Sequence, residues 1–408
     1  MKNTPEIRFK GFTDDWVQRK LGEVAKIVTG STPSTKERGL YNGDYLFVSP
    51  VDIQENRYII KTKTTLSEEG FNKCRKIRQG ASFFVCIGST IGKIAQATIE
   101  SVTNQQINSV IGNNYIDDDF TYTLLEKESE EIPKLSATQA VPIINKTTFE
   151  NIILTLPEMK AEQSAIGNFF RILDKINGLY KRKTENLKLL KKACLQQMFP
   201  NDGETVPKIR FTGFTGDWEE AKLGDVADFK NGMNFSKEAM GHGFPFVNLQ
   251  NIFGQTIVDT SSMGLAESNE QQRKEYCLKK GDVLFIRSSV KPEGVGEAAI
   301  IPYDLVDTTY SGFIIRCRMT GNFNDGFKQF MFGTEYFRSQ MLNNATTSAN
   351  TNINQDSLSK MTIKFPITEE QNAIGEFFRN IDGQITVQQT KLDNLKRLKS
   401  AYLQKMFV

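Results

Sequence analysis

The sequence predicts a tandem duplication of an α/β or α+β unit, with two globular domains alternating with two long helices that form an antiparallel coiled coil. Three observations lead there. Residues 162–199 and 370–407 align without a gap at an offset of 208, and 20 of 38 positions are identical. Residues 5–25 (PEIRFKGFTDDWVQRKLGEVA) and 207–227 (PKIRFTGFTGDWEEAKLGDVA) match at 14 of 21 positions, including Trp16 and Trp218, the two tryptophans of the chain. Between these repeats lie short β-rich runs bounded by Gly and Asn. Repeats at a shared offset mark a duplicated unit. The expected domains are residues 1–157 and 201–366, with helical regions 158–200 and 367–408.

The helices are read from composition and period. Neither repeat contains an internal proline, and Leu, Lys, Gln and Glu dominate their last three turns. Phe169, Leu173, Ile176, Tyr180, Leu187, Leu190 and Cys194 recur at alternating four- and three-residue steps, interrupted by Lys183, which is the a/d pattern of a coiled coil. The second copy places Phe377, Ile381, Leu395, Leu398 and Tyr402 on the same steps, with Gln384, Gln388 and Lys391 as a polar middle. A helix of about 40 residues is about 60 Å long and has too little core to stand alone, so two copies invite pairing. The segment PNDGETVP (200–207) ends the first helix.

Strands are expected within 45–53, 82–88, 244–252, 282–289 and 310–318. Phe327, Phe330, Met331 and Phe337 recur at helical spacing in 323–342 and read as core. Each half closes alike, over 137–157 and 347–366. Asn145 or Asn354 precedes a short helical turn, a strand ends at Pro157 or Pro366, and the long helix begins. The frame repeats while the filling differs: residues 26–136 and 228–345 share little beyond a pattern. Each half therefore performs the same job on a different target.

Composition excludes several classes. Apolar residues make up 39% and charged residues 24%, ordinary for a globular protein of two or three domains. No apolar run approaches the ~18 residues of a membrane helix. The start lacks a signal-peptide core, and the five cysteines form no CxxC pair, so a cytoplasmic protein without disulfides or a cysteine zinc site is expected. The single histidine, His242, rules out histidine triads and HExxH sites, and is expected in a loop. A net charge of +3 neither announces nor forbids nucleic acid. Gly88-Ser-Thr-Ile-Gly92-Lys93 has three residues between its glycines where a phosphate loop needs four, and Ile94 where Ser or Thr belongs. Gly294-Val-Gly296 is followed too soon by Pro302 for a dinucleotide fingerprint.

Several of these segments together resemble a known family. KLGEVA (20–25), KLGDVA (222–227), GSTPS (30–34), IGSTIGKIA (87–95), NQQIN (104–108), GDVLFIRSS (281–289) and the Pro…Glu-Gln segments (157–163, 366–371) resemble, in order and over nearly the whole chain, the specificity subunits of type I restriction–modification systems. The second half lacks matches to GSTP and NQQI, and its Pro…Glu-Gln spacing is one residue shorter. The resemblance implies a non-catalytic subunit. Each target recognition domain would read one half of a split double-stranded DNA sequence, and the helices would set the gap. Two modification subunits carrying S-adenosylmethionine would methylate adenine. Two restriction subunits using ATP and magnesium would translocate and cleave. The chain has no Pro-Pro dipeptide, so it lacks the Asn-Pro-Pro-aromatic loop of adenine methyltransferases. The other readings are a coiled-coil adaptor with two protein-binding heads and a metal-dependent nuclease, the latter without a recognisable ligand set.

Base edges are read by Arg, Lys, Asn, Gln, Ser and Thr. The first-half candidates are Ser34, Thr35, Lys36, Arg38, Asn42, Ser89, Thr90, Lys93, Gln105 and Gln106. The second-half candidates are Asn234, Ser236, Lys237, Asn248, Gln250, Arg287, Ser288, Ser289 and Lys291. The basic run Lys181-Arg182-Lys183 with Lys188, Lys191 and Lys192 is either a phosphate contact or a solvated helix face. Gln163, Ile166, Phe169, Phe170, Gln371, Ile374, Phe377 and Phe378 are candidates for the modification-subunit contact, or for packing a helix end on its own domain.

Overall fold

A computed structural model describes residues 4–136, 142–347 and 350–408. The expected closing segments therefore lie partly outside the described residues, at 137–141 and 348–349. Contacts divide the chain into two compact units, Met1–Lys183 with Gln388–Val408, and Thr184–Val387. The long helices, Lys160–Gln197 and Thr368–Lys405, have 38 residues each, and each contributes one part to either unit. They start two residues before the repeats, and the Met-Phe pairs that close the repeats lie beyond the helix ends.

The first unit holds a five-stranded sheet in the order Ala25–Thr29, Ile107–Gly112, Ser82–Val85, Ile94–Ala97, Tyr58–Ile59. A three-stranded sheet orders Thr64–Leu66, Tyr41–Val48 and Val102–Thr103. The second unit repeats this plan: Ala227–Asn231, Ile314–Met319, Val283–Ile286 and Ala298–Ile300 form one sheet, and Gly264–Ala266, Met240–Val247 and Thr309–Tyr310 the other. Even the irregularities recur, with a register shift between Tyr41 and Tyr45 and another between Met240 and Phe244. The two interiors differ in sequence yet share strand order: the central strands Ser82–Val85 and Val283–Ile286 are buried at every position, and such strands tolerate many apolar residue choices. His242 lies in the strand Met240–Val247, exposed and 3.3 Å from Glu267, not in a loop as expected. Lys93 and Gly296 lead into the strands Ile94–Ala97 and Ala298–Ile300, where a phosphate-binding motif would need a helix.

The duplicated frame segments prove to be one another's partners. In the first unit the Arg8 guanidinium grips Glu162 through two hydrogen bonds of 2.6 and 2.8 Å, and the Trp16 indole donates to the same carboxylate at 3.4 Å. In the second, Arg210 grips Glu370 at 2.8 and 2.7 Å. Phe9 packs edge-on against Phe169, and Phe211 against Phe377. Gln163 accepts from the Asp117 amide and donates to the Pro157 carbonyl; Gln371 does the same with Asn324 and Pro366. Asn145 and Asn354 cap the helical turns Lys146–Glu150 and Gln355–Lys360 as expected, and the strands Ile153–Leu156 and Thr362–Phe365 follow. The expected helical stretch 323–342 is two helices, Asp325–Met331 and Glu335–Asn344, whose Phe327, Phe330, Met331 and Phe337 are buried.

The helix seam departs from the expected one at two positions of the first helix, 183 and 190. In the first unit, Phe169 meets Tyr402, Asp174 pairs with Lys399, and Lys391 stands over Tyr180, so the two segments run in opposite directions. Of the expected positions 169, 173, 176, 180, 183, 187, 190 and 194, residue 173 is buried and 169, 176, 180, 187 and 194 are half-buried, but 183 and 190 are exposed, and their places are taken by the buried 184 and the half-buried 191. Leu190 is 48% exposed, whereas Lys191 turns inward, its ammonium 2.6 Å from Asp382 and 5.0 Å from the centre of the Phe330 ring. Hydrophobicity alone selects Leu190; the aliphatic stem and paired head of Lys191 win instead.

Candidate nucleic-acid interface

Three separate turns of the first unit converge. Gly30 sits so close to the Asn104 carbonyl that a Cβ would lie 2.1 Å from it, so only glycine lets the two segments touch. Thr32 Oγ1 then donates to Gln105 Oε1, and Asn104 Nδ2 donates to Gln106 Oε1 at 2.9 Å. The third turn contains Ser89 and Thr90 between Gly88 and Gly92, and Gly88 faces the Gln106 amide. Ser34, Thr35, Lys36 and Arg38 are exposed on the connection to Tyr41–Val48, and Asn42 is exposed at φ 63°, a left-handed conformation Asn tolerates. Lys93 is half-buried at the start of its strand.

The second unit builds the same junction from other residues. Gly232 lies where a Cβ would be 2.2 Å from the Ser311 carbonyl, which makes Ser311-Gly312-Phe313 the counterpart of the Gln105–Gln106 turn. Asn234 Oδ1 packs on Gly312, and Arg287 Nη1 donates to the Gly312 carbonyl at 3.4 Å. Ser288, Ser289 and Lys291 line a cleft of about 570 Å³ with Phe253, Val290 and Phe313. Val290 is 83% and Phe313 56% exposed. Neither was selected from the sequence, where an apolar residue in a loop looks like core. Ser236 and Lys237 are exposed, and Gln250 donates to the Ser262 carbonyl. Two expectations need correction. Ser289 is 7% exposed and held in a strand pair with Thr351, and the Asn248 carboxamide is engaged in capping the turn Leu249–Asn251.

The expected partner-contact residues are mostly interior. Gln163, Ile166, Phe170, Gln371, Ile374 and Phe378 are all at most 3% exposed. Groups buried to this degree pack their own unit and cannot face another protein; only Phe169 and Phe377 are half-exposed. Exposed apolar residues recur elsewhere at equivalent repeat positions, Leu179 with Val387 and Leu190 with Leu398. Of the basic run on the first helix, Lys181 pairs with Glu55 at 3.1 Å, holding that carboxyl below its usual range, and Lys191 pairs with Asp382.

The first unit also holds a charge network the sequence did not disclose. Arg57 is buried, bonded to Gln96 at 2.8 Å, Asp119 at 2.6 Å and Asp174 at 3.2 Å, and stacked on Tyr122. Asp174 passes the chain to Lys399, which also pairs with Glu126 at 2.6 Å. Burial raises the Glu126 carboxyl above its usual range despite that ammonium. Among the described residues no group of three or more His, Cys, Asp or Glu could hold a metal ion, and no helix is long and apolar enough to cross a membrane.

The family described as type I restriction modification DNA specificity domain matches residues 13–189 and 215–397, once on each repeat. The chain belongs to the type I restriction–modification specificity subunits. The MjaVIII specificity subunit of Methanocaldococcus jannaschii is 22% identical to this specificity subunit over 98% of its chain and 93% of the relative. The MjaIX specificity subunit of the same organism is 23% identical over 71% of this chain and 69% of its own. The S subunit structure from M. genitalium matches with a TM-score of 0.65 at 15% identity, covering 99% of both chains. A structure from work on complex assembly and conformational transition in the type I system matches at 0.54 and 18% identity, covering 96% of this chain and 97% of its own. These likenesses establish the fold: two repeated domains of mixed helix and strand, with two long helices.

Proposed function

We propose that each globular unit of this specificity subunit reads one half of a bipartite double-stranded DNA target, without catalysis of its own. The observation that carries this is the matched junction at Gly30 and Gly232, the same backbone contact presenting Thr32, Gln105 and Gln106 in one unit and Asn234, Arg287 and Phe313 in the other. Matched scaffolding with different side chains at its tips is what two readers of different base sequences require. The long helices pair as an antiparallel coiled coil, supported by buried and half-buried positions at alternating three- and four-residue steps along the first helix, and their length sets the gap between half-sites.

Two adenine-methyltransferase subunits, each with its S-adenosylmethionine, dock on the duplicated frame. The repeated exposed pairs Leu179/Val387 and Leu190/Leu398 support equivalent docking surfaces, as pseudo-twofold symmetry demands. Two restriction subunits working with ATP and magnesium join the same assembly. The test is single-molecule sequencing of adenine methylation in the source cell with and without this chain. Deletion is expected to abolish methylation at one bipartite motif; an unchanged methylome would overturn the reading.

A further inference from the structure

We infer that the first unit carries a phosphate-binding groove that the second unit does not repeat at the equivalent described residues, so that the two readers grip the DNA backbone unequally there. This rests on the reading of the units as DNA readers. The groove, about 550 Å³, runs along the outer face of the strand Ala25–Thr29 and is lined by Lys26, Arg75, Lys76 and Lys146 with no carboxylate in its lining. Lys26, Arg75 and Lys76 are exposed and have no ion-pair partner among the described residues; Lys146 shares Glu150 at 3.4 Å. The Lys76 ammonium stands 4.9 Å over the Phe71 ring, which leaves its charge uncancelled, so three cations without a carboxylate partner favour an anion in the groove.

The groove is continuous with the candidate reading turn. Arg75 Nη1 donates to the Thr29 carbonyl at 2.7 Å, and its amide donates to Ser31 Oγ at 3.2 Å. One segment therefore forms the groove wall and then presents Thr32 to Lys36. Such cations position a duplex without reading it.

The second unit shows that the fold does not require this charge. Lys26 faces Ile111 across the sheet; the equivalent pair is Asp228 and Arg318, and Arg318 is bound to Asp282 by two bonds of 2.7 Å. Ile77 and Leu278 make matching bridges, and Gly80 and Gly281 follow each with positive φ, which aligns Arg75 and Lys76 with Tyr276 and Cys277. The nearby Lys230 is consumed by Glu275 at 2.6 Å.

The test uses the full chain assembled with its methyltransferase subunits. Binding to a target duplex and to a scrambled duplex is measured from about 50 to 200 mM salt. The triple variant Lys26→Gln, Arg75→Gln, Lys76→Gln is expected to flatten the slope of log K against log salt by roughly 2 to 3, about 0.9 per phosphate contact, on both duplexes. The methylated motif stays the same. Lys26→Gln alone, an outward residue of one strand, is expected to lose about one such contact. The charge-preserving swap Lys26→Arg, Arg75→Lys, Lys76→Arg keeps the slope. An unchanged slope in both Gln variants overturns the groove, as does a changed motif. Loss of methyltransferase assembly at an unchanged slope also overturns it, and makes the groove a protein dock. The scrambled duplex tests the groove whether or not the wild-type complex prefers its target, so failure of the groove and failure of the sequence-reading function are separable.

Discussion

Glu162 and Glu370, each 1% exposed, are carboxylates a protein can bury only when fully paired, and the Arg8 and Arg210 forks supply that pairing. Removing one partner of a buried pair costs far more than the pair contributes. Arg8→Ala is expected to destabilise the first unit by about 3–5 kcal/mol in denaturant unfolding, and Arg210→Ala the second by a similar amount. The double variant Arg8→Met, Glu162→Gln should recover most of that loss, because no charge is then stranded. A loss under about 1 kcal/mol in Arg8→Ala would show that water reaches Glu162. Both arginines were visible in the sequence as repeated residues, but their role was not. The partner lies 154 positions away in one unit and 160 in the other, a distance no local pattern spans. The same limit hid the Arg57 network, whose members are drawn from five segments and look like ordinary surface residues when read singly.

At the scale of elements, the Met-Phe pairs just past the helices act as plugs. Phe407 sits among Trp16, Phe120 and Phe170 at 5.7–5.9 Å, and Phe199 among Trp218, Phe327 and Phe378 at 5.5–6.1 Å. Phe407→Ala should cost about 3–5 kcal/mol. Hydrogen exchange should report that loss in strands of the first unit such as Ser82–Val85, while Val283–Ile286 keeps its protection. Equal loss in both would refute the assignment of Phe407 to the first core. Helix lengths, the Asn145 and Asn354 caps and the central strands Ser82–Val85 and Val283–Ile286 were legible because each rests on local chemistry, whereas edge strands such as Ala25–Thr29 and Ala227–Asn231 were not. The exact seam was not. Asn177, Thr184 and Lys191 occupy inward positions that an apolar count passes over.

For the whole molecule, the duplication was readable from two repeats, whereas the shared strand order of the divergent interiors needed coordinates. The frame contacts also define how one globular unit can be exchanged. Replacing residues 207–366 by the corresponding segment of another specificity subunit should change one half of the methylated motif and leave the gap unchanged, as sequencing of methylated adenines would show. Changes in both halves, or in neither, would defeat the modular reading. The graft must keep an arginine for Glu370, an aromatic for Phe199 and the backbone amide that Gln371 accepts from. The placement of Phe407 has one more implication, for synthesis. The first unit takes part of its core from residues 388–408. On the ribosome the half that emerges first therefore waits, its aromatic socket open, until residues 388–408 have left the exit tunnel. The second-made unit, whose residues 184–387 are contiguous, can close before it.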